Sequence, residues 1–85
     1  MRKDFDEIDV KEVKRLTKGE LERVGKNLKG LRVKNGLTLN DISFYTYSNI
    51  STVEKLEVSK LENVTLLTLM KLSVFYSIPL KDLFL

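Results

Sequence analysis

An all-α domain built of several short helices is what this 85-residue sequence predicts, and three observations predict it. Apolar residues recur at intervals of three and four along most of the chain, the spacing that lines one face of a helix. Threonine, serine or asparagine precedes these runs, where a short polar side chain can cap the orphan amides of a first turn. One proline and four glycines leave few interruptions. The length allows one domain, near the lower end of what folds without staples, and a hydrophobic content of 42% supplies a core.

The first cap signal is Thr17-Lys18-Gly19-Glu20, a capping box in which each side chain satisfies a backbone N–H. Leu21, Val24, Leu28 and Leu31 follow at helical spacing and predict a helix to about Lys34, stopped at Asn35-Gly36, one of which suits a left-handed cap. Thr38 caps a short second helix to about Thr46, with Ile42 its clearest buried residue. Ser48-Asn49 caps a third, with Val53 and Leu56 on its inner face and an end near Val58. The polar run Ser59 to Asn63 reads as a loop. Thr65 then caps a strongly apolar helix in which Leu66, Leu69, Met70, Leu72 and Phe75 are candidates for the core. A fifth, short helix begins near Pro79, whose fixed φ suits a first turn, and Leu80, Leu83 and Phe84 close the domain. Ahead of all this, Ile8, Val13 and Leu16 suit one side of a further helix over part of 5–16, although the charge density there equally suits a loose arm. The predicted organisation is an N-terminal extension over 1–18, partly helical or a flexible arm, and a compact five-helix domain over 19–85.

Composition narrows the function. Without cysteine there is no thiolate chemistry, and without histidine the commonest zinc ligand and the usual general base are missing. No nucleophile–base pair or phosphate loop is visible either. No enzyme, metal or cofactor is expected. The start of the chain is charged rather than apolar, and no stretch reaches the roughly 20 apolar residues of a membrane span, so a cytoplasmic protein is expected. The net charge is +3, unevenly spread. Residues 1–20 sum to zero, whereas 21–36 carry Arg23, Lys26, Lys29, Arg32 and Lys34 against Glu22 alone. Such a basic segment suits a phosphate-binding surface, or simply a solvated helix face.

Short helices, two of them separated by a tight turn, fit the helix-turn-helix plan. From about Val24 to Phe84 the chain also resembles the Cro and phage-repressor (XRE-type) family. The resemblance rests on Leu31-Arg32 with Asn35-Gly36-Leu37-Thr38, on Ser51-Thr52-Val53-Glu54-Lys55-Leu56-Glu57, and on Thr65 to Leu72 continuing through Ser77-Ile78-Pro79-Leu80-Lys81-Asp82-Leu83-Phe84. It implies a DNA-binding transcriptional regulator, of the phage, plasmid or bacterial repressor kind, that grips operator DNA as a homodimer. It also implies an ion pair between Arg32 and Glu57, tying the first helix to the recognition helix, for which arginine's planar fork is suited. Thr38 and Asn40 would approach a phosphate at the start of the second helix. Asn49, Ile50, Ser51 and Thr52 would open the recognition helix in the major groove, with Lys55 one turn on and Lys60 on a phosphate. The dimer contact would use Leu83, Phe84 and Leu85 or the N-terminal extension.

The pattern departs from the family in ways that suggest a rival. Tyr47 stands where a glycine is usual in the turn, and Leu39 replaces a polar residue at the start of the second helix. The segment from Ser48 to Asn63 has Glu54, Glu57 and Glu62 against Lys55 and Lys60, lacks arginine and glutamine, and its loop runs one residue long. Leu39, Phe44 and Tyr45 then form an apolar cluster near the expected binding face. If exposed, it marks a protein-binding module on the same fold, such as an antirepressor or assembly factor.

Overall fold

A computed structural model describes residues 5–85; the first residues of the extension, 1–4, lie outside the described residues. Four α-helices and a 3₁₀ helix follow in order: α1 (Val10–Lys34), α2 (Leu39–Thr46), α3 (Ile50–Glu57), α4 (Leu66–Phe75) and the 3₁₀ helix Leu80–Phe84. The last element is thus a tight 3₁₀ turn rather than a fifth α-helix. It spans five residues and begins at Pro79 without a side-chain cap, and such short, poorly capped pieces favour the tighter winding.

The main surprise is α1. It runs unbroken for 25 residues, through the capping box that predicts its start. The cap is Asp9 instead, whose carboxylate accepts from the amides of Lys11 (3.0 Å) and Glu12 (3.4 Å). Thr17 sits mid-helix with its hydroxyl donating to the Val13 carbonyl at 2.7 Å, and Glu20 pairs with Arg23. A capping box acts only if the chain before it is not helical. Here the preceding Lys, Glu, Arg and Leu residues are good helix formers, and Asp9 supplies an earlier start. The helix crosses residues 18 and 19 without a break.

Leu21, Val24 and Leu28 of α1 meet Ile42 of α2, Val53 and Leu56 of α3, Leu69 and Leu72 of α4, and Leu83 in one buried cluster. Leu61 and Val64 pack against it from the loop after α3. In α4 the core takes Leu69 and Leu72, while Leu66 is 63% and Met70 40% exposed, contrary to the expectation that both face inward. Leu83, a predicted dimer contact, is wholly buried within the monomer and is unavailable to a partner. Asn27 of α1 fixes that end, its amide donating to the carbonyls of Leu83 (2.9 Å) and Leu85 (2.8 Å).

All four α-helices end the same way. An amide beyond the helix reaches back five residues: Leu37 to Arg32, Ser48 to Ser43, Lys60 to Lys55 and Ile78 to Ser73. The residue before each is left-handed, at Gly36 (φ 66°), Tyr47 (52°), Ser59 (59°) and Ser77 (56°). This is the Schellman arrangement, yet glycine fills the strained position once. Ser43 and Ser73 reinforce two of the ends, each hydroxyl donating to the carbonyl five residues on.

Candidate nucleic-acid interface

The turn between α2 and α3 is built from polar groups that leave no choice of geometry. Thr46 is buried, and its hydroxyl donates to the Ile42 carbonyl at 2.6 Å and lies 2.9 Å from the Ser48 hydroxyl. Tyr47 takes a left-handed backbone (φ 52°), where the sequence predicts a side-chain cost, and the residue is 91% exposed. Lys71 of α4 donates to the Tyr47 carbonyl at 3.0 Å, an interaction that no local pattern in the sequence signals.

Beyond the turn, Asn49 caps α3 by accepting from the Ser51 amide at 2.8 Å. Val53, Leu56 and Glu57 are buried against the rest of the domain. The opposite side, with Asn49, Ser51, Glu54 and Lys55, is open to solvent. Ile50 is 38% exposed and Thr52 half-buried. The Asn49 amide nitrogen, the Ser51 hydroxyl and the Lys55 ammonium therefore project outward together as hydrogen-bonding groups.

Behind this face, Arg32 and Glu57 meet. The Arg32 Nε donates to both carboxylate oxygens, at 3.1 and 2.9 Å, and Nη1 donates to the Leu37 carbonyl at 3.1 Å. One nitrogen supplies both bonds to the carboxylate, while Nη1 holds the end of α1. The side chains are 16% and 4% exposed. The Glu57 hydrogen bonds hold Arg32 even more firmly protonated than usual. This pairing removes Glu57 from the surface. The segment counted as slightly acidic thus presents Lys55 and Lys60 against Glu54 and Glu62, in balance.

The start of α2 is closed by a reciprocal cap, with Thr38 and Asn40 both exposed. Thr38 and Asp41 form a reciprocal box: the Asp41 amide donates to the Thr38 hydroxyl (3.1 Å), and the Thr38 amide to the Asp41 carboxylate (2.8 Å). The Thr38 amide is committed and its hydroxyl oxygen accepts from Asp41, which leaves the Thr38 hydroxyl proton and the amides of Leu39 and Asn40 as donors of the first turn. Asn40 is exposed, while Leu39 packs partly against the core. Lys60 is exposed just past α3.

Of the apolar cluster, Phe44 (75%) and Tyr45 (59%) are exposed and Leu39 is not. Phe44 meets Tyr45 edge-on with centroids 5.3 Å apart, and Tyr45 stacks on Phe75 of α4 at 5.9 Å. Tyr45 and Tyr47 border a shallow apolar groove whose floor is Leu67, Met70 and Val74 of α4. Sequence reasoning missed this surface by assigning Met70 inward. The available signal was the composition of α4, which carries more apolar residues than one inward face can hold.

Among the described residues no helix is long and apolar enough to cross a membrane. No protein-family model matches the chain, and no curated protein does. A solved structure does: the restriction-modification controller protein C.AhdI from Aeromonas hydrophila, at 30% identity and a TM-score of 0.69, over 75% of this chain and 96% of that one. With this identity over nearly the whole of the controller protein, and with the turn and helices described above, the chain belongs to the repressor-like helix-turn-helix family that includes C.AhdI.

Proposed function

We propose that the protein is a sequence-specific DNA-binding transcriptional regulator of the repressor type, acting as a homodimer on duplex DNA in the cytoplasm. The observation that carries this reading is the outward side of α3, which is uncovered and hydrogen-bonding while its inward side is fixed by Val53, Leu56 and the Arg32–Glu57 pair. A helix so held enters the major groove by its N-terminal residues. Asn49 and Ser51 would meet base edges, Lys55 a guanine edge, and Ile50 a thymine methyl. Thr52, half-buried, would steer its neighbours more than reach the bases. Asn40 with the free amides of α2, the edge of the Thr38 cap, and Lys60 would hold phosphates and set the register. The resemblance to a restriction-modification controller protein supports a regulatory role.

The dimer would form through the outer face of α4. Leu67 (66%), Met70 (40%) and Val74 (70%) are exposed there beside Tyr45 and Tyr47. The lone charge lining this groove, Lys71, is hydrogen-bonded to the Tyr47 carbonyl. These side chains form one exposed apolar patch, the kind of surface that marks an interaction site. Being nearly uncharged, it can face its own copy across a two-fold axis without bringing like charges together.

Selection of bound fragments from random duplex DNA, with oligomeric state measured alongside, tests both parts. Wild-type protein should enrich a two-fold-related site, and Lys55→Gln should weaken binding by about 5- to 150-fold, equivalent to ~1–3 kcal/mol, while relaxing the preference at one position. Met70→Glu should shift the protein toward monomer and weaken operator binding with Lys55 intact. No enrichment of any sequence would end the proposal. The exposure of Phe44 and Tyr45 favours one second reading, a protein-binding module on this fold. Under it, partner binding falls on Phe44→Ala and changes little with salt, whereas DNA binding falls steeply.

A further inference from the structure

Among the described residues none of the six lysines of α1 is ion-paired, and three of them cluster near its N-terminus. Lys11, Lys14 and Lys18 succeed one another at intervals of three and four, so at about 100° per residue they fall within about 60° of arc on one side of the helix. The acids of the same stretch are engaged elsewhere: Glu12 and Glu20 pair with Arg15 and Arg23, and the Asp9 carboxylate caps the helix. All three lysines are exposed.

Their side of the helix also carries Gly25, seven residues beyond Lys18, where α1 lies against the end of α3. Further toward its N-terminus the same side overhangs the loop that follows α3. There Lys14 and Lys18 line a groove of about 520 Å³ with Thr17, Lys60, Glu62 and Asn63. Lys60 belongs to both surfaces, since its amide closes the end of α3 on the Lys55 carbonyl at 2.8 Å. The groove therefore begins where the C-terminal end of α3 closes. It holds three cations and one acid, Glu62, and no ion pair joins them among the described residues.

We propose that this groove is a second contact with the DNA backbone, in which Lys14 and Lys18, together with Lys60, hold the phosphates flanking the bases read by α3. The inference rests on the reading of α3 as a DNA-binding helix and extends it to the projecting part of α1. Lysine suits the role as a mobile point charge that follows a backbone without reading sequence. Lys14 and Lys18 stand about 6 Å apart along the helix, close enough to serve neighbouring phosphates of one strand. Glu62 tempers the grip.

The full chain, titrated with salt against its selected duplex, tests the inference through Lys14→Gln/Lys18→Gln. Each released phosphate contact lowers the slope of log K against log salt by about 0.9, so the double variant should show a slope shallower by about two. Its order of preferred sequences should not change. Lys14→Arg/Lys18→Arg should keep the wild-type slope, and Glu62→Gln should tighten binding at every salt concentration. Glutamine matches lysine in helix propensity, so circular dichroism should be unchanged. A double variant with the wild-type slope overturns this inference and leaves the reading of α3 standing. A wild-type protein that binds no duplex overturns both.

Discussion

Glu57 shows how a single side chain changes meaning between sequence and structure. As one letter in a recognition segment it makes the DNA face look acidic. Folded, it is 4% exposed and bonded to Arg32, so it serves the scaffold. Removing its partner should be costly. Arg32→Ala leaves a buried carboxylate without compensation and the Leu37 carbonyl without its Nη1 donor, and we expect a loss of about 3 kcal/mol in urea unfolding. Glu57→Gln should cost less, since a neutral amide still accepts a hydrogen bond. The pairing was legible through the family resemblance. The second task of the guanidinium, holding the Leu37 carbonyl at the end of α1, was not.

Helix ends illustrate the next scale. Caps were readable wherever a short polar side chain stands before an apolar run, as at Thr38, Asn49 and Thr65. The box at Thr17 was misleading because sequence gives the cap's chemistry and not the conformation of the residues before it. Stop signals were readable at Gly36 and obscure at Tyr47, Ser59 and Ser77, which take the same left-handed position without glycine's freedom. Each side chain there carries a backbone cost of about 1–2 kcal/mol, partly offset in a glycine variant by its greater entropy when unfolded. Ser77→Gly should accordingly stabilise the fold by about 0.5–1 kcal/mol in thermal or urea unfolding. Tyr47→Gly should relieve the same strain yet loosen the proposed dimer, since it strips a ring from its contact face.

For the molecule as a whole, fold class, helix order and most of the core could be read from spacing. The side of α3 that faces solvent followed from Val53 and Leu56. What could not be read was which elements project beyond the core. The molecule is 52 Å long but 23 by 21 Å across, with the early turns of α1 exposed. Nor could the outer face of α4 be told from its inner one, since leucines occupy both. Tyr76 reports on the packed state globally. Burial, with a smaller contribution from the Glu57 carboxylate and against the opposing Arg32 charge, raises its phenol from 10.0 to about 12. The unfolded chain then releases this proton first, so stability is full below about pH 10 and declines as pH rises toward 12. Urea midpoints measured from pH 9 to 11 should fall less for Tyr76→Phe than for the wild type, and equal declines would rule out this source.

One missing methyl group governs how closely α1 and α3 can approach, and with it the aim of α3 under the proposed function. A β-carbon on Gly25 would lie 2.3 Å from the Leu56 carbonyl oxygen, so even alanine must drive α1 and α3 apart by about 1 Å to reach ordinary contact. Binding constellations tolerate only about half that error. Gly25→Ala should thus produce a protein that still folds and still associates with DNA at low salt, but whose preference among sequences is blunted. Its defect would be one of alignment, introduced at a residue that touches no nucleotide.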